Sequence, residues 1–486
     1  MKTNKHHAAE IQKIAQERLG FSNLRPGQQE AIVAILSGRD TLVVQPTGSG
    51  KSAIYQIAGL MLEGATVIVS PLIALQKDQV DSIASQDSAD AIAVNSTQRT
   101  PETREIWDRV RQGQVEYIFL APEQLRKPET IERLRQSKVS LFVVDEAHCI
   151  SSWGHDFRPD YLSLAHTIEA LGRPRVLALT ATATRDVREE IIKRLQLRAP
   201  AVFVSGFDRP NIYLRVDHFK TQAEKRDALV HRTVWADKPG IIYTGTRKAA
   251  EEIARALEEE GVEALTYHGG MKGEERHEIQ ERFMSGGAQV IVATNAFGMG
   301  VDKPDVRFVF HHDPADSLDS YYQEIGRAGR DGKRSEAILF FRPEDIGSQT
   351  YKASEGGIDP VQLEKLAIRI ASEDWPIDTE AIAEEVGLSR RKLTIALHRL
   401  EDARADSANP VQATKIAIEE HERLSQARRQ RLEQMRAYAD TAGCRRELLL
   451  RYLGDEFAGP CGSCDRCGAL DSVAVDPSVG TRREVL

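Results

Sequence analysis

The sequence lacks any long apolar run. No stretch approaches the roughly 18 to 20 uninterrupted apolar residues that a membrane-spanning helix needs, and the opening MKTNKHHAAE has no apolar core like that of a signal peptide. Positive charge is not in excess either, because the formal net charge is −8. Whole-chain charge therefore does not indicate a nucleic-acid partner, and phosphate contacts would need local basic surfaces. We expect a cytoplasmic protein with no membrane partner.

Cysteine is scarce, and four of the five cysteines lie close together near one end of the sequence. Cys461, Cys464 and Cys467 form a C-x2-C-x2-C pattern, and Cys444 precedes them. Four thiolates at such spacing can surround one zinc ion tetrahedrally, which would make a closed, structural site. The same triplet spacing occurs in iron–sulfur proteins, so a cluster is the alternative. Cys149 stands alone and is predicted to be a small packing residue.

The length and the strand pattern predict several domains. A chain of 486 residues, 41% of them hydrophobic, is long enough for about three domains. Short β-rich runs alternate with helical patterns from about residue 40 to 205 and again from Gly240, which is typical of parallel α/β sheets. After about residue 345 helical patterns take over. We predict two tandem α/β lobes at 1–208 and 209–345 with a linker near the turn 207–210, then a helical region at 346–415, a helical zinc-binding module at 416–470 and a loose tail at 471–486.

The run QPTGSGKS at 45–52 predicts a phosphate-binding loop, because it follows an apolar strand and precedes a helical segment. Glycines let backbone amides converge on phosphate oxygens at a helix N-terminus. Lys51 would neutralise charge on the β- and γ-phosphates of ATP, and Ser52 would ligate Mg²⁺. Gln45 replaces the first glycine of the general pattern, so an ordinary turn is the alternative. The predicted nucleotide-binding residues of this loop are Thr47, Gly48, Ser49, Gly50, Lys51 and Ser52.

The run LFVVDEAH at 141–148 predicts the acidic half of the same site. An apolar strand delivers two carboxylates at its C-terminal end, where ligands of parallel sheets bind. Asp145 would hold the magnesium, and Glu146 would orient and deprotonate the attacking water. The predicted catalytic set also includes His148, the last residue of the motif. For an isolated Asp-Glu pair, a solvated loop end would be the alternative.

A third motif, YYQEIGRAGRDG at 321–332, predicts a contact between the lobes. Arg327 and Arg330 are three positions apart, so we place them on one helical face that could reach a γ-phosphate bound by the opposite lobe. Gln323 is included in the same catalytic set. The alternative is a basic surface helix that contacts only nucleic-acid phosphates.

Together with CISSWGHDFRPDY at 149–161, these motifs resemble superfamily 2 helicases and, within them, the RecQ family. The resemblance covers about residues 15–345 and returns at CRRELLLRYLG and the cysteines. It implies two RecA-like lobes that use ATP and Mg²⁺ to move 3′ to 5′ on single-stranded DNA and to unwind duplex or branched DNA in recombination and repair. It also favours zinc over an iron–sulfur cluster. Single-stranded-DNA-binding or repair proteins would be partners, in a bacterial cytoplasm or nucleoid.

Three alternatives to this function remain open on the sequence. An RNA helicase, or a translocase that remodels DNA without robust unwinding, would use the same motor motifs. A DNA-binding regulator with a decayed motor is the third. The intact Lys51, Asp145, Glu146, Gln323 and Arg330 argue against decay.

The segment GFSNLRPGQQ resembles the family's adenine-recognition motif. The resemblance implies that Phe21 and Arg25 sandwich the base and that the Gln28 amide hydrogen-bonds its edge, which presents a donor beside an acceptor. The family usually has tyrosine at the Phe21 position, and phenylalanine keeps the stacking face.

Residues 152–159 resemble the family's aromatic-rich loop, which senses single-stranded DNA. Trp153 and Phe157 offer flat faces on which bases can stack without sequence preference. The alternative is that both aromatic rings are buried in the core. Polar runs such as 95–97 suit phosphate contacts that carry no sequence information. The predicted DNA-binding residues are Asn95, Ser96, Thr97, Trp153, His155, Phe157 and Arg158.

The segment 379–402 has apolar residues at helical spacing around the turn 387–389, which indicates a helix-turn-helix-like unit. DNA contact and a purely structural helical module are equally good interpretations. Typical family members place a winged-helix domain after the zinc module, and this sequence ends before one. We therefore expect residues 355–410 to substitute for it in part.

Overall fold

The computed structural model describes residues 2–71, 73–85, 89–94, 100–151, 157–204, 206–298, 303–347, 360–371, 379–389, 392–393, 396–397, 400 and 410–468. Lobe one is a seven-stranded parallel sheet in the order β3-β4-β2-β5-β6-β1-β7. Its strands are β1 (Thr41–Val44), β2 (Ala65–Val69), β3 (Ala91–Val94), β4 (Tyr117–Leu120), β5 (Val139–Val144), β6 (Arg175–Thr180) and β7 (Ala201–Val204).

Helices cover both faces of this sheet, which explains why β1, β2 and β4 are buried along their whole length and read as continuous apolar runs. The helices are α1 (Lys2–Glu17), α2 (Gln28–Leu36), α3 (Ser52–Met61), α4 (Ile73–Ser85), α5 (Thr100–Arg111), α6 (Pro128–Gln136), α7 (Leu164–Ala170) and α8 (Arg185–Arg194). Short 3-10 helices lie at Pro122–Arg126, Ala147–Ile150 and Pro159–Ser163.

Lobe two is a six-stranded parallel sheet in the order β10-β11-β9-β12-β13-β8. Its strands are β8 (Ile212–His218), β9 (Gly240–Tyr243), β10 (Ala264–Tyr267), β11 (Val290–Ala293), β12 (Phe308–His311) and β13 (Ser335–Phe341), and its helices are α9 (Gln222–Trp235), α10 (Arg247–Glu259), α11 (Gly273–Met284) and α12 (Leu318–Ile325). A capping box between Thr221 and Glu224 starts α9.

The C-terminal part is helical, with α13 (Pro360–Ala371), α14 (Thr379–Val386), α15 (Pro410–Asp440) and α16 (Arg445–Leu453). Residues of α13 and α14 form a small apolar cluster of their own, against which Ile416 and Ile418 pack. The other end of α15 joins the main core through Met435 and Tyr438. The continuous helix α15 thus runs through position 415, where we placed a domain boundary.

The cysteine segment docks on lobe two. The amide of Leu214 in β8 donates to the Ser463 carbonyl (3.2 Å), and the amide of Asp465 donates to the Leu214 carbonyl (3.0 Å). These bonds make a one-residue parallel bridge between Leu214 and Cys464 at the edge of the sheet. The predicted fold class, two parallel-sheet lobes followed by a helical region and a small cysteine module, is confirmed. Within the described ranges, every helix is too short or too polar to cross a membrane.

Candidate nucleotide site, DNA contacts and metal centre

The phosphate-binding loop connects β1 to α3. Gly48 and Gly50 have φ angles of 78° and 79°, a conformation that favours glycine. The ammonium of Lys51 donates to the carbonyl oxygens of Gln45 (2.9 Å) and Pro46 (3.3 Å). Burial lowers the pKa of Lys51, although the carboxylates of Asp145 and Glu146 oppose that shift. The loop therefore holds this cation at the helix N-terminus, where an anionic ligand would satisfy it.

The two carboxylates follow β5 directly. The amide of Asp145 continues the sheet by donating to the Val69 carbonyl (2.9 Å), and the Glu146 amide donates to Asp145 Oδ1 (3.0 Å). Glu146 has a left-handed backbone (φ 47°, ψ 47°). Burial, together with the charge of Glu146, raises the pKa of Asp145 to about 7. Asp145 is half-buried, and Ser52 is the first residue of α3. A carboxylate and a hydroxyl are donors that suit Mg²⁺, which keeps waters and phosphate oxygens as its other ligands.

His148 is buried and connects Glu146 to the neighbouring strand. Its Nδ1 lies 3.3 Å from the Glu146 carboxylate and 2.9 Å from Thr180 Oγ1. The Thr180 hydroxyl donates to the Thr182 carbonyl (2.9 Å). On the far side of the cleft, Gln323 of lobe two donates to Thr182 Oγ1 (3.1 Å). A chain of polar contacts thus runs from Glu146 across the cleft between the lobes. Our candidate set omitted Thr180 and Thr182.

The prediction that Arg327 and Arg330 share a helical face is wrong. Helix α12 ends at Ile325, and both arginines lie in the turns that follow, between Gly326 and Gly332. Glycine ends helices readily, which is the physical reason. Arg327 is only 5% exposed and hydrogen-bonds the Tyr243 hydroxyl inside lobe two.

Arg330 alone of this pair faces the opposite lobe. A Cβ atom added to Gly48 would lie 3.1 Å from Arg330 Cδ, so the arginine lies against the phosphate-binding loop. It is also close enough to lower the pKa of Lys51, after the larger effect of burial. This position is where an arginine of lobe two would meet the phosphates of a nucleotide bound to lobe one.

The expected adenine-recognition residues contact the same loop. The Gln28 amide donates to the carbonyls of Gly50 (2.8 Å) and Ser49 (3.2 Å), and its oxygen accepts from the Arg25 amide (2.8 Å). The Arg25 guanidinium donates to the Gly48 carbonyl. Phe21 is half-buried against the lobe-one core. Arg25 and Gln28, which are expected to recognise the base, therefore also bind the backbone of the phosphate-binding loop.

Of the predicted DNA-binding residues, only Phe157 and Arg158 lie within the described part of the chain. Asn95, Ser96, Thr97, Trp153 and His155 lie outside it. Phe157 and Arg158 are half-buried, and Arg158 donates to the Pro71 carbonyl (3.1 Å).

Two residues that flank the segment 152–159, Ser151 and Tyr161, form hydrogen bonds with lobe one. The Ser151 hydroxyl donates to the Glu190 carboxylate (2.6 Å). The hydroxyl of the buried Tyr161 donates to the backbone carbonyl of Asp145 (3.0 Å). This last contact connects the aromatic segment directly to the acidic motif, and Tyr161 was not among our candidates.

The four cysteines predicted as metal ligands, Cys444, Cys461, Cys464 and Cys467, come together, with all four Sγ atoms within 4.8 Å of one another. A tetrahedron of sulfurs around zinc has edges of about 3.8 Å, given Zn–S bonds of about 2.3 Å, so the cluster fits one ion. Backbone amides of Glu447 and Ser463 donate to the sulfurs of Cys444 and Cys461 (both 3.4 Å), as is common for thiolate ligands. Cys149 is buried and remote in sequence, which agrees with a packing role.

Two parallel-sheet lobes, a phosphate-binding loop, an acidic strand end and an arginine that crosses the cleft define a two-lobe helicase of superfamily 2. Residues 25–190 match the DEAD/DEAH box helicase family, residues 224–332 the helicase conserved C-terminal domain, and residues 405–468 the RecQ zinc-binding family.

Among curated proteins, the chain is 36% identical over 470 residues to the probable ATP-dependent DNA helicase RecS of Bacillus subtilis (strain 168), covering 94% of this chain and 92% of that protein. It is 35% identical to the ATP-dependent DNA helicase RecQ of Pasteurella multocida (strain Pm70), covering 92% of this chain but only 60% of that protein. The chain belongs to the RecQ family of helicases.

Solved helicase structures share the fold at low identity. Mycobacterium smegmatis Lhr bound to single-stranded DNA and AMP-PNP superposes with a TM-score of 0.54 at 22% identity, covering 81% of this chain and 57% of that chain. The DEAD-box helicase Mss116 bound to single-stranded RNA superposes with a TM-score of 0.56 at 18% identity, covering 85% and 90% of the two chains. These likenesses concern the fold alone.

Proposed function

We propose that this protein is an ATP-dependent DNA helicase that moves 3′ to 5′ on single-stranded DNA and unwinds duplex or branched DNA in recombination and repair. The observation that carries the proposal is the pair of contacts across the cleft, Arg330 against Gly48 and Gln323 on Thr182. Because nucleotide would bind between these elements, closing and opening of the lobes would follow ATP binding and hydrolysis.

The residues of the cleft would divide the work. Lys51 and the loop amides would bind the phosphates, and Arg330 would stabilise charge that develops on the γ-phosphate in the transition state. Asp145 and Ser52 would hold Mg²⁺. When bound, the ion would neutralise part of the phosphate charge. Glu146 would orient the attacking water and accept its proton, with His148 fixing the position of the Glu146 carboxylate. Phe21, Arg25 and Gln28 would select adenine.

DNA is the proposed substrate because the relatives that match nearly the whole chain are named DNA helicases. Trp153, His155, Phe157, Arg158 and the polar residues 95–97 would contact single-stranded DNA. The short link from Tyr161 to Asp145 supports communication between DNA and the acidic motif. Partners would include single-stranded-DNA-binding or repair proteins, in the bacterial cytoplasm or nucleoid.

The cysteine module would hold one zinc ion for structural purposes. Four protein ligands fill a tetrahedral site, so no position is left for a reacting water.

The test is ATP-dependent unwinding of a 3′-tailed DNA duplex, compared with a 5′-tailed duplex and a DNA–RNA hybrid. We expect unwinding of the 3′-tailed DNA, a loss of at least 100-fold in Glu146→Gln, and wild-type rates in Glu344→Gln, an exposed glutamate of lobe two. DNA-stimulated hydrolysis without strand separation would instead identify a translocase. Equal stimulation by RNA and DNA of one sequence would contradict the proposed substrate.

A further inference from the structure

The segment between the lobes, residues 206–211, hereafter the linker, has contacts on both of its sides. On one side lies the loop 326–330, hereafter the arginine loop, which carries Arg327 and Arg330. On the other side lies α16, whose N-cap residue is Cys444. The linker is therefore the physical connection between the cysteine module and the arginine that faces the phosphate-binding loop.

Arg209 of the linker holds the backbone of the arginine loop. Its guanidinium donates to the carbonyls of Gly326 (3.0 Å), Ala328 (2.7 Å) and Gly329 (3.0 Å). Asn211 adds a second donor to the Gly329 carbonyl (2.8 Å). The planar guanidinium presents its donors in a fixed fork, so three peptide groups beside Arg327 and Arg330 are fixed relative to one another. The last of these peptide groups joins Gly329 to Arg330, so it fixes where the Arg330 side chain starts.

The C-terminal helix holds the linker in turn. Arg446, only 4% exposed, binds the Asp208 carboxylate, the Ile212 carbonyl (2.6 Å) and Ser463 Oγ (3.0 Å). The Asp455 carboxylate accepts the Phe207 amide (2.9 Å). Both residues belong to the cysteine module or to the turn that follows α16. Their polar contacts reach the linker one and two residues before Arg209.

Packing holds the linker as well. Phe207 is fully buried, and its ring packs edge-on against that of Tyr322, with 5.9 Å between the centroids. A small cavity of about 20 Å³, roughly the room that one water molecule needs, lies at this junction, with walls that include Ile212, Leu449 and Leu450. The linker is therefore held by hydrogen bonds and by packing together.

We propose that Arg209 is a positioning residue for Arg330, and that Arg446 and Asp455 of the cysteine module set the position of Arg209. This inference rests on the proposed function, because it assumes that Arg330 acts in ATP hydrolysis. The cysteine module thereby influences the rate of the chemical step, in addition to pairing with the edge strand β8 at Leu214. Loss of the relay lowers kcat, whereas nucleotide affinity, which depends on lobe one, is kept.

The first experiment compares Arg209→Ala with wild type for DNA-stimulated ATP hydrolysis. We expect kcat to fall about 10- to 100-fold, the scale of a misplacement of about 1 Å, while KM for ATP changes less than twofold. Affinity for ADP with aluminium fluoride, which imitates the transition state, falls with kcat, and affinity for ADP does not. Arg209→Lys recovers part of the rate, because one ammonium meets fewer of the three carbonyls. Arg215→Ala, which removes a half-exposed arginine paired with Asp217, is the control.

The second experiment tests the relay. Asp455→Ala removes the acceptor of the Phe207 amide and lowers kcat in the same direction with KM unchanged, whereas Asp455→Asn keeps an acceptor and stays near wild type. In the double variant Arg209→Ala/Asp455→Ala, the loss does not exceed that of Arg209→Ala, because both act through one loop.

The outcomes separate the two proposals. If Arg330→Ala abolishes hydrolysis but Arg209→Ala and Arg209→Lys hydrolyse ATP at the wild-type rate, the positioning role is wrong and the proposed function stands. If kcat and ADP affinity fall together in either Arg209 variant, Arg209 is only structural and the inference is overturned. If Lys51→Ala and Arg330→Ala both leave hydrolysis unchanged, the proposed function itself fails.

Discussion

At the nucleotide site of lobe one, burial disfavours the charged form of two side chains, Lys51 and Asp145. These side chains have opposite charges. Burial lowers the pKa of the Lys51 ammonium and raises the pKa of the Asp145 carboxyl. A triphosphate and a divalent cation would favour the charged forms, so ligand binding and ionisation reinforce each other. Glu116 does not belong to this site.

Glu116 predicts a pH dependence of stability. Its Oε1 atom is buried and accepts no hydrogen bond within the described part of the chain, and burial raises the pKa of this carboxyl from 4.5 to about 7. A raised folded-state pKa contributes stability that is complete below the unfolded pKa and is lost as pH rises through about 7.

We therefore expect Glu116→Gln to gain stability relative to wild type as pH rises from 5 to 8. Urea unfolding at several pH values measures this difference. Glu129→Gln, at an exposed position of lobe one, should show no such trend. A constant difference for Glu116→Gln across this range would show that the carboxyl is ionised normally.

At the scale of elements, the arginine loop depends on a single tight turn. Gly329 has φ 54°, and a Cβ atom there would lie 2.4 Å from Asn211 Nδ2 and 2.6 Å from the Lys333 carbonyl. Gly332 also has a positive φ, 80°, but a Cβ atom there would meet nothing within 4 Å. Alanine at either position would have an unfavourable backbone conformation, but only at position 329 would its methyl group also clash with neighbouring atoms.

We expect Gly332→Ala to cost about 1 kcal/mol of stability, the usual penalty for a left-handed alanine, with little change in hydrolysis. Gly329→Ala should be more destabilising and should lower kcat for ATP at least tenfold, because the loop must shift to admit the methyl group. Thermal unfolding and steady-state ATPase assays on both variants measure this. Equal kcat values would mean that the turn does not control Arg330.

Strands that are determined by their own residues could be predicted from the sequence. Contacts between segments far apart in the sequence could not. The apolar runs TLVV and LFVV predicted β1 and the end of β5, because strands buried on both faces are apolar along their length. The end of α12 was not predicted, since the three-residue spacing of Arg327 and Arg330 fits a helix as well as the turns that follow Ile325. The contacts of Arg209 and Gln323 join segments more than 100 residues apart, so no local pattern indicated them.

The whole molecule is two motor lobes with the cysteine module joined to the second. Leu363, Leu366, Ile382 and other described apolar residues between 360 and 400 form a separate cluster, against which Ile416 and Ile418 of α15 pack. Ile368 of α13 is 64% exposed. Leu393 and Leu400, which lie in the second half of the predicted helix-turn-helix, are buried, as they would be in a packing module. Its basic residues Arg390 and Arg391 lie outside the described part of the chain, so substitution for a winged helix stays a prediction.

Metal content provides a prediction at this scale. We expect one zinc ion per chain, measured by elemental analysis, and its loss in Cys464→Ser, whose sulfur is buried in the cluster. The midpoint of thermal unfolding should fall in parallel, because structural zinc contributes directly to folding. Cys149→Ser should keep its zinc. Iron and labile sulfide in the wild-type protein would point to a cluster instead.

The one-residue bridge between Leu214 and Cys464 has a consequence for self-association. Strand β8 is the outermost strand of its sheet and is seven residues long, and the cysteine segment pairs with its open side at Leu214. An uncovered edge strand offers free amides and carbonyls to any other chain, which is how many proteins begin to aggregate. Zinc binding would hold the cysteine segment against Leu214, so we expect the metal-free protein to expose this part of the edge and to aggregate more readily than the metal-bound protein.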